Sequence, residues 1–430
     1  MTAIADPATR RALTWLRTPE AVRERCNALL ALAEQDALPH FKLDSARLDD
    51  TANYVAAVIR ANYPDLVIPY HSRWRHFEAG GIDRWRALAA TLTSCDPAEL
   101  TRLRLDLCTI SVLLDAGAGA AWSFREPDTG QLLTRSEGLA VASLHAFRTG
   151  LFSGDPHRPL RADANGLSHL SEHALAAAFQ VTPTNPLAGL TGRVALLHNL
   201  GATLRRRPDL FGDPPRVGTL ADHLRTPLRP ARNILITILE SLAPIWPGRL
   251  TLNGENLGDV WPHPALTSPL PLAGKSLPPG MEPGVGSRSE PGEGLIPFHK
   301  LSQWLTYSLF EILEDSGTTV TDLDALTGLA EYRNGGLFID LGVLRMRDLS
   351  LVATPIPVDH PAIVEWRALT VALLDRLAPL LRARLNRTAA DLPLPCLLQG
   401  GTWAAGRNIA RERRADASPP LHVQSDGTVF

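Results

Sequence analysis

Lysine is nearly absent from this sequence: Lys42, Lys275 and Lys300 stand among 43 basic residues, and arginine supplies the rest. A bias that runs through the whole chain reflects a GC-rich coding sequence rather than one site, yet it draws attention to each lysine that remains. Cysteine is also scarce. Cys26, Cys95, Cys108 and Cys396 lie far apart with no C-x-x-C pair, which excludes a disulfide framework and predicts reduced thiols in a cytoplasmic compartment. No run of eighteen apolar residues occurs, so no membrane span is expected. The segment Met1 to Arg11 has no apolar core and carries Asp6, unlike a signal peptide. Net charge is -2, from 43 basic and 45 acidic residues, so no basic field points to nucleic acid. Neither G-x-x-x-x-G-K-[ST] nor G-x-S-x-G is present, which leaves P-loop ATP hydrolysis and serine-esterase chemistry without support. Without a ligand set at metal spacing, neither a metal nor another cofactor is expected.

What is present is a helical pattern. The 430 residues are 45% apolar and 20% charged, enough for a large core and too apolar for disorder. Thr18-Pro19-Glu20 and Asp96-Pro97 read as helix starts, each with a capping side chain before a proline. Leu48, Ala52, Val55, Ala56 and Ile59 form one apolar stripe, and Leu100, Leu103, Leu107, Ile110 and Leu114 a second. Asn185-Pro186 predicts a helix that runs to Arg205-Arg206-Arg207, where cations suit the C-terminal dipole. Further helices are expected near 136–149, 231–242, 298–315, 322–333 and 361–385. Strand signals are few: Arg249 to Leu252 before Asn253-Gly254 predicts a hairpin with a type I′ turn, and 337–344 reads as a short strand or bent helix. The expected fold is mainly α, a helical array with one or two short hairpins. Residues 1–400 read as a single helical catalytic unit, interrupted by a flexible Pro/Gly-rich insertion at 262–296, with 404–430 as a loosely ordered tail.

Several segments crowd polar, aromatic and glycine residues in a way that packing alone does not require. They are His71-Ser-Arg-Trp-Arg-His-Phe77, Asp115 to Trp122 with Arg135-Ser136-Glu137, Gly258-Asp259-Val-Trp261, His299-Lys300-Leu-Ser-Gln303-Trp304 and Glu331-Tyr332-Arg333-Asn-Gly-Gly336. Asp115, Asp259 and Glu331 are the carboxylates that stand out, since a charge at the end of an apolar run needs a partner or a function. The plain alternative for each is an ion pair with a neighbouring arginine. Tryptophans 122, 261 and 304 are either core residues or walls of a cleft.

These segments, with Asn185-Pro186, Gly192-Arg193, Ile245-Trp-Pro247 and Pro297 to Ser308, resemble the fungal and bacterial uracil-catabolism family, long known as a domain of unknown function. The resemblance spans residues 15–385. It implies a step in uracil degradation in which a ribosylurea intermediate loses urea. A shorter similarity, Lys300 with Gln303 and then Ala330-Glu331-Tyr332-Arg333, matches motifs of the queuosine-nucleotide N-ribosyl hydrolases, all-helical relatives of the helix-hairpin-helix DNA glycosylases. That family has Asp in place of Glu331 and Val-Pro in place of Gly335-Gly336.

The implied reaction is hydrolysis of the N-glycosidic bond of ribosylurea or its 5′-phosphate. It develops positive charge on the anomeric carbon and negative charge on the departing nitrogen. On this reading Glu331 orients water at the anomeric carbon, while Asp115 or Asp259 binds ribose hydroxyls or urea N–H groups. Lys300, Arg333, Arg73 or Arg75 holds a phosphate if there is one, with His71 and His299 as further contacts. Gln303, Tyr332, Glu137, Trp122 and Trp261 complete the expected pocket. The partner is then a small nucleoside- or nucleotide-derived molecule. Two other readings stay open: a metal-dependent ureide amidohydrolase, and a non-catalytic helical binding or scaffold protein.

Overall fold

The computed structural model describes residues 6–266 and 292–428. It is mainly helical, and its strands form only two-stranded pairs among those residues. Helices begin where proline and a capping side chain coincide. Asp6, Thr18 and Asp96 cap the helices Pro7–Leu16, Pro19–Glu34 and Pro97–Leu113, each accepting from backbone amides in the first turn. Such caps are worth about 1 kcal/mol apiece.

Two helices form the centre. Pro361–Leu385 buries every residue from Ala362 to Leu374, and Lys300–Asp315 buries every residue from Lys300 to Phe310. A helix buried all round must be covered on every side. Pro19–Glu34, Arg47–Asn62 and Tyr332–Asp340 pack on the first, and Pro97–Leu113 and Ala231–Leu242 on the second. Pro97–Leu113 is itself buried from Leu105 to Leu113, more than the single stripe expected from its leucines. No helix among the described residues is long and apolar enough to cross a membrane.

The hairpin forms as expected: Thr251–Leu252 pairs with Glu255–Asn256, and Asn253 and Gly254 both have positive φ. Residues 337–344 divide between the helix Tyr332–Asp340 and the strand Leu344–Met346, which pairs antiparallel with Phe41–Leu43.

Four expectations need correction. The helix after Asn185-Pro186 starts only at Leu190, because the Asn185 side chain is spent on the backbone of Ser123 and Gln180. The stretch 322–333 is not a helix: after a short turn at Leu323–Ala325 the chain stays non-helical until Tyr332. Side chains of the central helix replace its internal bonds, with Gln303 binding the Thr327 amide and hydroxyl and Tyr307 the Thr327 carbonyl. The ends of the 262–296 insertion are ordered, as Val260–Pro262 pairs with Leu295–Pro297; residues 267–291 lie outside the described residues. The tail is not loose either. Trp403–Arg413 is a helix that buries Ala405, Gly406, Ile409 and Ala410, and Val423–Gln424 pairs with Ile356–Pro357. Gly406 makes this docking possible, since a Cβ there would stand 2.2 Å from the Arg333 carbonyl oxygen.

Candidate active site

A cavity of about 340 Å³ opens where the end of Pro97–Leu113 meets the first turns of Arg135–Arg148, Lys300–Asp315 and Tyr332–Asp340. Asp115, Lys300 and Glu331 line it, with His71, Glu137, Tyr332 and Arg333 of the expected residues. The tail closes the other side through Trp403, Arg407 and residues between Asp416 and Ser425.

Asp115 follows the last turn of its helix, and Arg193 fixes that exit by donating to the carbonyls of Leu114, Ala116 and Gly117. Its Oδ1 accepts from Arg73 Nη1 at 2.6 Å and its Oδ2 from Ser136 Oγ at 2.7 Å. Burial raises the proton affinity of Asp115, and Arg73 and Lys300 oppose that rise. Glu331 is the N-cap of Tyr332–Asp340: Oε2 accepts the Arg333 amide at 2.8 Å and Oε1 the Asn334 amide at 2.6 Å. Burial raises its pKa as well, against those two amides and Lys300. The Lys300 ammonium lies 5.4 Å from the centroid of Trp304 and has no hydrogen bond or ion pair among the described residues. Burial lowers its pKa, while Asp115 and Glu331 both favour its charge.

His71 is buried, bonds Gln399 Oε1 at 2.9 Å, and burial pulls its pKa down to about 4. It is therefore a neutral wall at neutral pH. Arg333 gives one N–H to the Ala417 carbonyl, and Arg407 pairs with Glu137 at 2.6 Å.

The remaining expected residues do not line the cavity. Arg73 is fully buried beneath Asp115 and also bonds Ser111 Oγ, so it positions that carboxylate and is closed to a phosphate. Arg75 pairs with Glu78 and Glu311. Asp259 is locked to Arg367 by two bonds of 2.8 Å and also accepts from Trp261 Nε1 and the Lys300 amide. This set holds its pKa below the usual carboxylate range despite burial. Trp261 thereby belongs to that cluster, with Arg249 over its ring. His299 donates to the Leu16 carbonyl, Gln303 is spent on Thr327 and Phe298, and Trp122 binds the Phe179 carbonyl in the core. Asn334-Gly335-Gly336 lies inside the helix Tyr332–Asp340, where a Gly335 Cβ would stand 2.7 Å from the Trp366 ring.

His76, Arg135, Ser136, Trp403 and Arg407 line the cavity and were not among the expected site residues. Trp403 and Arg407 carried a signal, four residues apart on one helix face, with the guanidinium 4.7 Å from the indole centroid. Among the described residues no group of three or more His, Cys, Asp or Glu is placed to hold a metal.

The family model described as "Protein of unknown function (DUF1688)" matches residues 15–430. "Uracil catabolism protein 4" of Lachancea kluyveri is 36% identical over 452 residues, covering 97% of this chain and 99% of that protein. "Protein urg3" of Schizosaccharomyces pombe is 37% identical over 418 residues, 95% and 96% of the two chains. With matches that run almost end to end, the chain belongs to the DUF1688 family, the uracil-catabolism family that its motifs resemble.

Proposed function

We propose that the chain acts in uracil catabolism by hydrolysing the N-glycosidic bond of ribosylurea, or of its 5′-phosphate, to urea and ribose or ribose phosphate. The observation that carries this reading is the meeting of Asp115, Glu331 and the unpaired Lys300 ammonium in one buried cavity. A ribosyl–nitrogen bond breaks through a centre with oxocarbenium character, which a fixed carboxylate stabilises. Glu331, held by two amides, takes that place and orients water. Asp115 accepts from urea N–H groups or ribose hydroxyls. Lys300 donates to the departing urea and lessens the charge on its nitrogen. The oxygen of water becomes the anomeric hydroxyl and one of its protons ends on urea, so the step balances without an added reactant. The name of one relative, Uracil catabolism protein 4, supports the pathway role.

The test is product analysis with synthetic ribosylurea and its 5′-phosphate. Urea should appear with the free sugar in equal amounts, and EDTA should leave the rate unchanged. Ammonia in place of urea, or loss of activity on chelation restored by Zn²⁺, selects the amidohydrolase reading. Binding without turnover of either compound selects a non-catalytic role.

A further inference from the structure

A second space of about 570 Å³ adjoins the active cavity and shares Arg135, Glu137, Arg333, Arg407 and Asp416 with it. Arg411 adds a fourth guanidinium. Their protein partners leave most of this charge unspent. Arg407 is paired with Glu137. Among the described residues, the side chain of Arg135 donates only to the carbonyls of Asp416 and Ala417, and that of Arg333 only to that of Ala417. Arg411 is exposed and has no side-chain partner among the described residues. Four cations therefore face two carboxylates, Glu137 and Asp416. Burial lowers the proton affinity of Arg333, Arg135 and Arg407 lower it further, and Tyr332 and Glu331 oppose them. Cations crowded in this way are stable in company with an anion that uses the donors left over.

We infer that this vestibule is a phosphomonoester subsite and that the substrate is a phosphorylated sugar derivative whose reacting end enters the inner cavity. A phosphomonoester carries about -1.5 to -2 charges at pH 7 and presents three acceptor oxygens, which matches the surplus of positive charge and the forked donors. Of the residues expected to hold a phosphate, Lys300, Arg333, Arg73 and Arg75, the assignment keeps only Arg333 and adds Arg135, Arg407 and Arg411. It rests on the proposed function for the identity of the sugar's substituent, but not for the binding of phosphate.

Calorimetry with ribose 5-phosphate and with ribose tests the subsite whether or not the chain hydrolyses ribosylurea. The phosphate ester should bind at least about tenfold more tightly, the lower end for hydrogen bonds to a charged group, and added salt should erode the difference. Arg411→Gln should remove most of that preference, and Arg135→Gln should act in the same direction. Arg411 is exposed, so its substitution leaves the fold in place even if Arg135→Gln disturbs the 416–417 segment. If hydrolysis occurs, Arg411→Gln should lower kcat/KM for ribosylurea 5′-phosphate more than for ribosylurea. Equal affinities for ribose and ribose 5-phosphate, or a preference that survives Arg411→Gln, would overturn the assignment. An absence of hydrolysis with the phosphate preference intact would sink the proposed reaction and leave the subsite standing.

Discussion

Asp115 and Asp259 stand in similar sequence surroundings, each within two residues of a glycine and followed by a tryptophan, Trp122 or Trp261, and each is buried against a buried arginine. Their hydrogen bonds separate them. A carboxylate has about four acceptor positions, and Asp259 fills four: two from Arg367, one from Trp261 and one from the Lys300 amide. Among the described residues Asp115 accepts one bond at each oxygen, and so does Glu331. The saturated carboxylate is a structural tie that fixes the first turn of the Lys300–Asp315 helix. The two unsaturated ones line the cavity. Burial marks all three, but only unspent acceptor capacity marks a group that can meet a substrate.

The sharpest way to break this comparison is to remove the charges one at a time. Glu331→Gln should lower turnover by about 10²–10⁴-fold, the usual cost of a lost acid–base group, with thermal unfolding moved far less. Asp115→Asn should lower turnover and also stability, because it leaves the buried Arg73 without its counter-charge. Rates measured per folded molecule decide it. Normal turnover in both variants, with Asp259→Asn inactive, would place the reacting carboxylate in the saturated cluster.

Asp259→Asn should show the opposite profile. Taking the charge from a buried pair costs about 3–5 kcal/mol, read as a drop in the denaturant midpoint, while the folded fraction keeps most of its turnover. A stable but inactive Asp259→Asn protein would contradict the structural role.

The smallest effect is in the pH profile. The raised pKa values of Asp115 and Glu331 mean that the ionised forms are lost as pH falls, at a higher pH than for ordinary carboxylates. The lowered pKa of Lys300 means that its proton is lost as pH rises, at a lower pH than for an ordinary lysine. Both limbs of kcat/KM should therefore lie inside the range set by unperturbed groups. Lys300→Arg, which does not titrate there, should erase the basic limb even if it lowers the rate. A basic limb unchanged in that variant assigns it to another group.

Much of the fold was legible in the residues. Thr18-Pro19, Asp96-Pro97 and Asn253-Gly254 are decided within four residues, by a cap or by a backbone that tolerates positive φ, and each forms as written. The reading failed where a distant partner overrode a local preference. Gln303 and Tyr307 hold 327 out of a helix from across the core, and the tail docks because Gly406 meets the Arg333 carbonyl. Of the site, Lys300, Glu331 and Asp115 stand out as polar groups in apolar or glycine-rich surroundings, whereas Arg407 falls in the stretch 404–430 that reads as a loose tail and Trp403 just before it.

What the sequence determined by itself is therefore local and chemical. It set the helical periods, the caps, the type I′ turn and the short list of carboxylates that needed a reason to be buried. Which of those carboxylates is spent was decided only in three dimensions. The arginine that saturates Asp259 lies 108 residues away and the one beneath Asp115 lies 42 residues away. The number of donors that reach an oxygen depends on how whole helices pack. The same holds for the roof of the site, where Ala417 closes over Arg333 across 84 residues of chain. No local pattern encodes such a contact, because its stability comes from surfaces that meet only after the chain has folded.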